Sequence, residues 1–182
     1  MRKGLLVASL VLAGAALAAD AAPEATVNGL VTYLLGKKTD IVKDKPAQEK
    51  FLSAALRGKL ADTDAVITKS ANCPDAGPDT DLNNGTLLQA WDPPEACPVA
   101  SPADPAQPAT QIDVMCRWGK GSQYPGTTRR MRYFMVREKD RWVVDDIRSM
   151  ASEYNQESSV TDDLAALRKE AEATLATCKK KP

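Results

Sequence analysis

The sequence predicts an α+β domain in which two N-terminal helices pack on an antiparallel sheet and a C-terminal helix closes the chain. Three observations carry this reading. Apolar residues near the start recur at helical spacing, residues 111–147 alternate at the two-residue period of strands, and a capped amphipathic run ends the chain. The hydrophobic share of 43% belongs to a folded domain.

Residues 1–18 read as a secretory signal peptide and residues 19–182 as the working domain. Arg2 and Lys3 form a positive start, residues 4–12 are apolar apart from Ser9, and Ala16-Leu17-Ala18 is a small-residue cleavage pattern. The apolar run falls short of the ~20 residues that span a bilayer, so no stable membrane anchor is expected. Ala19 rather than a cysteine follows the cut, which argues against a lipid anchor there. The expected location is periplasmic or extracellular, in solution.

Val27, Leu30, Val31, Leu34 and Leu35 predict a first helix over residues 24–35, ended by Gly36 and two lysines. Lys45-Pro46 starts a second, with Phe51, Leu52, Ala55, Leu56 and Leu60 on one face and Asp62-Thr63-Asp64 as its stop. Residues 70–110 then read as an irregular, proline-rich region, with residues 86–91 its one stretch suited to regular structure. Residues 98–110 read as a proline- and alanine-rich mobile loop.

Ile112, Val114, Cys116 and Trp118 mark a strand; residues 128–138 and 141–147 mark two more, turned at Lys139-Asp140. With centred turns, Val114, Arg132 and Asp146 fall side by side, on a face that also carries Cys116, Arg130, Phe134, Val136, Trp142 and Val144. Met115, Met131, Tyr133, Met135, Val143, Asp145 and Ile147 fall on the other. A final helix over residues 159–179 is capped by Ser159 or Thr161. Asp162 and Asp163 lie at its positive end and Lys179 to Lys181 at its negative end.

Lys and Arg balance Asp and Glu at 24 each, so nothing electrostatic points to nucleic acid or an anionic membrane. Histidine is absent, which removes the commonest general base and zinc ligand and every His-dependent triad. No metal or cofactor is expected. The four cysteines, Cys73, Cys97, Cys116 and Cys178, read as disulfides of an exported chain. Of three possible pairings the reading favours Cys73 with Cys97, both beside proline, and Cys116 with Cys178.

Phe51-Leu52-Ser53, Leu56 and Leu60, with Arg141-Trp142-Val143-Val144-Asp145-Asp146-Ile147 and Leu164-Ala165-Ala166-Leu167-Arg168, resemble an exported bacterial family without established function. That family has the cone-shaped, cystatin-like fold of the nuclear transport factor 2-like superfamily. The resemblance spans most of the chain after residue 18 and departs from the family in the proline-rich insertion and the long final helix. It implies helices on a curved antiparallel sheet and transfers no catalytic residues.

Asp145 and Asp146 are the most visible acids, but adjacent strand residues face opposite ways and cannot form one dyad. Enzymes resembling the superfamily do place an acid in the cone, so either aspartate is a candidate base for an isomerase or dehydratase. The structural expectation is that Asp146 pairs with Arg132 while Asp145 is solvated or holds a loop. Arg130 and Arg132 are candidate anion ligands, from which strand alternation separates Arg129. Trp91, before Asp92-Pro93-Pro94, is either an exposed recognition residue or a plug anchoring a long loop.

Asp79-Thr80-Asp81-Leu82-Asn83 opens like a calcium loop, but Asn84 and Ala90 stand where the motif needs Gly and Glu. Asn84-Gly85-Thr86 fits a glycosylation acceptor and equally a simple turn. With no catalytic set converging, the expectation is a binding or interaction module for a protein or small molecule of the cell envelope.

Overall fold

The computed structural model describes residues 22–36, 40–73, 82–100, 110–152 and 156–178; residues 1–18, read as the signal peptide, and most of the calcium-like segment lie outside them. The elements are α1 (Pro23–Leu35), α2 (Lys45–Phe51), α3 (Ala54–Ser70), α4 (Asn84–Leu88), β1 (Gln111–Arg117), β2 (Thr128–Glu138), β3 (Arg141–Ser149), β4 (Ser158–Ser159) and α5 (Val160–Cys178). The result is mixed α+β, with a four-stranded antiparallel sheet in the order β1-β2-β3-β4 and a helix closing the chain.

Helix α1 buries Val27, Leu30, Val31 and Leu34, the stripe its periodicity predicts. It lies so close to α2 that a Cβ on Gly29 would come within 2.9 Å of the Phe51 ring, so glycine permits the approach. Asp44 caps α2 by accepting the Ala47 N–H, and Tyr33 donates its hydroxyl to the same carboxylate at 2.8 Å.

The second predicted helix is in fact two. Leu52 leaves the helix to form a parallel bridge with Val144, and the Ser53 N–H donates to the Val144 carbonyl at 2.8 Å. Ser53 then accepts the Leu56 N–H, starting α3, while its hydroxyl donates to Asp145 at 2.6 Å. Nor does Asp62-Thr63-Asp64 stop the helix. Thr63 is buried, and Leu56, Leu60, Thr63, Ile67 and Ser70 form one continuous stripe. Because Thr63 is small enough to fit against α5, its hydroxyl donates to the Leu164 carbonyl.

Helices α3 and α5 run parallel: Lys59 meets Thr161 near one end and Cys73 meets Cys178 near the other. Ser159 caps α5 by accepting the Asp162 N–H, and Asp146 accepts the Thr161 N–H. Asp162 and Asp163 in its first turn complement the helix dipole.

The register differs from the sequence expectation by one residue in β1 and by two in β3, where Arg148 rather than Asp146 lies opposite Arg132. Ile112 opposes Tyr133, itself opposite Ile147, and Val114 opposes Met131, itself opposite Ser149. These residues form the inner face, which joins the helices in one buried cluster except for the polar Ser149. Asp113, Arg132 and Arg148 line up across the other face. A bulge in β3 accounts for a second difference: Phe134 pairs with Asp146 but Met135 pairs with Val144, so Asp145 is unopposed and the alternation changes phase. Val144 therefore points inward although it lies two residues from outward Asp146.

The disulfides are Cys73–Cys178 and Cys97–Cys116. This corrects the expected pairing, and the cause is topological. Residues 95–100 are not a free loop but pair antiparallel with β1 through bridges Ala96 to Arg117 and Val99 to Val114, placing Cys97 opposite Cys116. Pro98 tolerates that edge position, lacking an N–H but accepting from the Met115 N–H at 3.0 Å. The parallel run of α3 and α5 leaves Cys73 and Cys178 together, with Cα atoms 5.7 Å apart. Residues 101–109 of the predicted mobile loop lie outside the described residues.

Candidate functional site

The site is built where α4 ends. Asn83 and Thr86 form a reciprocal cap at its start. Asn84 binds back into the helical layer, accepting the Ile41 N–H at 2.9 Å and donating to the Leu34 carbonyl at 3.3 Å. Its carboxamide thus ties the fold together, and Asn84-Gly85-Thr86 opens a helix where the sequence suggested a simple turn. The chain turns back so tightly that a Cβ on Gly85 would lie 2.7 Å from the Ala90 carbonyl oxygen. The turn itself falls on Gln89, held left-handed at φ 48 and ψ 41. For a residue with a Cβ this stores about 1–2 kcal/mol of strain, which the surroundings must hold in place.

Those surroundings are specific. Arg129, at the start of β2, donates to the Gln89 carbonyl at 2.7 Å and lies over the Trp118 ring, 5.3 Å from its centroid. Burial lowers the pKa of this guanidinium from its ordinary value, and Tyr124 beside it acts in the opposite direction. The Gln89 side chain donates to Asp163 in the first turn of α5 at 2.9 Å. Buried Trp118 donates its indole N–H to the Asp92 carbonyl at 2.7 Å, and the Asp92 carboxylate accepts the Gln123 N–H at 2.7 Å. The 89–95 segment is thereby latched to the turn between β1 and β2.

Between these pieces lies an open cleft of about 670 Å³, walled by Trp91, Trp118, Tyr124 and Arg129, with Gln89 and Ser149 among its lining. Trp91 is 95% exposed. The plug alternative is thus excluded: Trp118 is the indole that anchors the loop, and Trp91 stands in solvent. Trp91 also borders a larger, shallower groove of about 1170 Å³ toward Asp40 and Lys120.

Two residues of the cleft lining each carry a side-chain oxygen that is buried and, among the described residues, without a hydrogen-bond partner: Gln89 Oε1 and Ser149 Oγ, with Ser149 only 2% exposed. An unsatisfied buried polar group costs about 1–3 kcal/mol, so each of these oxygens carries a cost that a partner reaching it would relieve. Tyr133 carries a third such atom, deep in the core beneath the sheet, and burial pushes its phenol pKa upward.

The acids singled out from sequence lie elsewhere. Asp145 is engaged by Ser53, and Asp146 accepts from Thr161 and pairs with Arg148 at 3.3 Å. Neither lines the cleft. The expected pair of Asp146 with Arg132 does not form: in the β2–β3 register Arg148 lies opposite Arg132 and Asp146 opposite Phe134, and the one-residue shift in β1 brings Asp113 to the other side of Arg132. Arg132 and Arg130 both close on Asp113, from 2.8 and 2.7 Å through their Nε atoms. Burial pulls the Asp113 pKa up, but the two guanidiniums outweigh it and hold the carboxyl below its ordinary range. The chain's own carboxylate therefore occupies the anion position those arginines offered. All four cysteines are joined in disulfides.

Trp91 is the one binding candidate from sequence that reaches the cleft. Gln89, Trp118, Tyr124, Arg129 and Ser149 were not singled out as a group, although strand alternation did turn Arg129 away from Arg130 and Arg132. Among the described residues no three His, Cys, Asp or Glu side chains cluster as a metal site, and no helix is long and apolar enough to cross a membrane. Comparison with family models, curated proteins and solved structures returns no match.

Proposed function

We propose that this chain is an exported, disulfide-stapled binding module that takes a small polar ligand into the cleft between Trp91 and Arg129. The observation that carries this is the pairing of a tryptophan left 95% exposed with unpartnered polar atoms on Gln89 and Ser149 in the same cleft. Exposed aromatics beside unsatisfied polar groups reduce the stability of the free protein, and a ligand relieves both. The strained Gln89 turn, tethered by Arg129 and Asp163, holds the cleft in shape before anything binds, which limits the ordering cost of binding. Its 670 Å³ falls in the range of about 300–1,000 Å³ usual for small-molecule sites.

Export to the periplasm or beyond rests on the signal-like residues 1–18, and two disulfides suit an oxidising compartment. Helices gathered on one face of an antiparallel sheet support the cone-shaped, nuclear transport factor 2-like reading as part of this proposal. The alternative, an isomerase or dehydratase with Asp145 or Asp146 as base, has no geometric support, since both carboxylates serve helix starts.

The test is acrylamide quenching of tryptophan fluorescence in the oxidised protein with and without the dialysable fraction of a cell-envelope extract. Trp91 dominates the quenchable signal, which the Trp91→Phe variant calibrates. Protection of Trp91 with a raised melting temperature supports the reading; unchanged quenching and melting overturn it.

A further inference from the structure

We infer that the ligand of this cleft is a saccharide; the inference rests on the binding reading above and assigns its chemical class. Each wall of the cleft narrows the choice. Trp91 and Tyr124, 95% and 59% exposed, offer flat aromatic faces to solvent. Such faces suit the C–H side of a sugar ring, which is apolar, while the ring's edge is a row of hydroxyls. Beside one carboxylate, Asp92, and one cation, Arg129, the polar lining is mostly neutral groups of the kind that hydroxyls pair with, among them the Gln89 amide and the hydroxyls of Ser149 and Ser158. Gln89 Oε1 can only accept, so it asks for a hydroxyl or amide N–H donor. Ser149 Oγ, 98% buried by its 2% exposure, can do either.

Other ligand classes fit worse. The cation walling the cleft, Arg129, already donates to the Gln89 carbonyl and lies against Trp118, so a phosphate would find no converging charges. A peptide adding to the sheet needs an open strand edge, and residues 95–100 already cover β1. An acyl chain needs an apolar trough, whereas the lining includes Gln, Ser, Thr and Arg. A neutral or singly acidic sugar satisfies the aromatic faces, the unpartnered oxygens and the lone cation together.

The experiment is isothermal titration of the full oxidised chain with cellotetraose, maltotetraose, chitotetraose and a galacturonate tetramer, beside inorganic phosphate and a tetrapeptide. The four sugars separate neutral, N-acetylated and acidic recognition. At least one should bind, and Trp91→Ala should weaken that binding tenfold or more without changing the melting temperature, because Trp91 packs on little. Ser149→Ala should weaken it severalfold while leaving melting unchanged or raised, since it removes an unpartnered hydroxyl. A role in folding alone would lower melting and leave affinity intact. Binding of no sugar, or binding indifferent to both variants, overturns the inference. If the dialysable envelope fraction protects Trp91 while every sugar fails, the saccharide class falls and the cleft survives; if both fail, both readings fall.

Discussion

Replacing cysteines in pairs tests the covalent topology and has a magnitude set by where the bridges lie. Cys73–Cys178 spans a sequence separation of 105 and Cys97–Cys116 one of 19. In the chain-entropy treatment these restrict the unfolded state by about 4.7 and about 3.3 kcal/mol, respectively. For a chain of this size that corresponds to melting temperatures lowered by about 9–19 °C and about 7–13 °C. The informative variant is Cys73→Ala with Cys97→Ala. With the bridges seen here it removes both, and its cost should approach the sum of about 8 kcal/mol, near the whole stability of a typical domain. Cys73→Ala with Cys178→Ala should instead cost no more than either single change, because one lost partner already breaks that bridge. Urea denaturation of the six single and double variants, without reductant, reads these differences. Should Cys73→Ala with Cys97→Ala cost no more than its singles, Cys73 would be joined to Cys97 and the helix topology argued above would be wrong.

Four further outcomes follow from individual contacts. Asp113→Asn should destabilise by about 2–3 kcal/mol, since it removes charge-assisted bonds from a buried carboxylate. The folded pKa of Asp113 is depressed, so its contribution is present above the ordinary carboxylate pKa and lost as pH falls through the folded value; denaturation curves of the variant should be flatter in that acid window. Lys139 and Asp140 both have positive φ, at 49 and 62, in the two-residue turn between β2 and β3. Changing them to Asn and Gly should therefore raise stability by about 1 kcal/mol in thermal melts. Tyr133→Phe removes a buried hydroxyl without a partner and should be neutral or stabilising by up to about 1 kcal/mol; a loss above 2 would show that the hydroxyl is bonded. Ser53→Ala should cost about 1–2 kcal/mol by chemical denaturation, as α3 loses its cap and Asp145 its partner.

What the sequence made legible was local. The three long strands follow from alternation, and the α1 stripe follows from a spacing that no tertiary contact had to override. The failures share a different cause. Leu52 and Ser53 continue a helical pattern, yet Val144, far along the chain, draws them into a bridge and breaks the helix there. Asp145 looks like an ordinary strand residue, and its bulge appears only when β2 supplies the opposite register. The disulfide pairing depends on α3 and α5 running parallel and on a proline-rich stretch pairing with β1, neither of which leaves a pattern in the residues concerned. The cleft was unreadable for the same reason: Gln89, Arg129 and Ser149 come from a helix end and two strands, and nothing in a glutamine announces a left-handed turn. Trp91 stood out because an indole beside Pro93-Pro94 must either plug or protrude.

The two bridges are also nested, with Cys97–Cys116 lying inside the ring closed by Cys73–Cys178. That ring contains the whole sheet, α4, the Trp91 loop and α5. A single peptide-bond cut anywhere between residues 73 and 178 leaves both pieces covalently joined, and a cut between 97 and 116 leaves them joined twice. Nicked protein would migrate as one species until reductant is added, then separate into fragments. The cleft beside Trp91 therefore lies within a covalent frame whose pieces one proteolytic cut cannot separate.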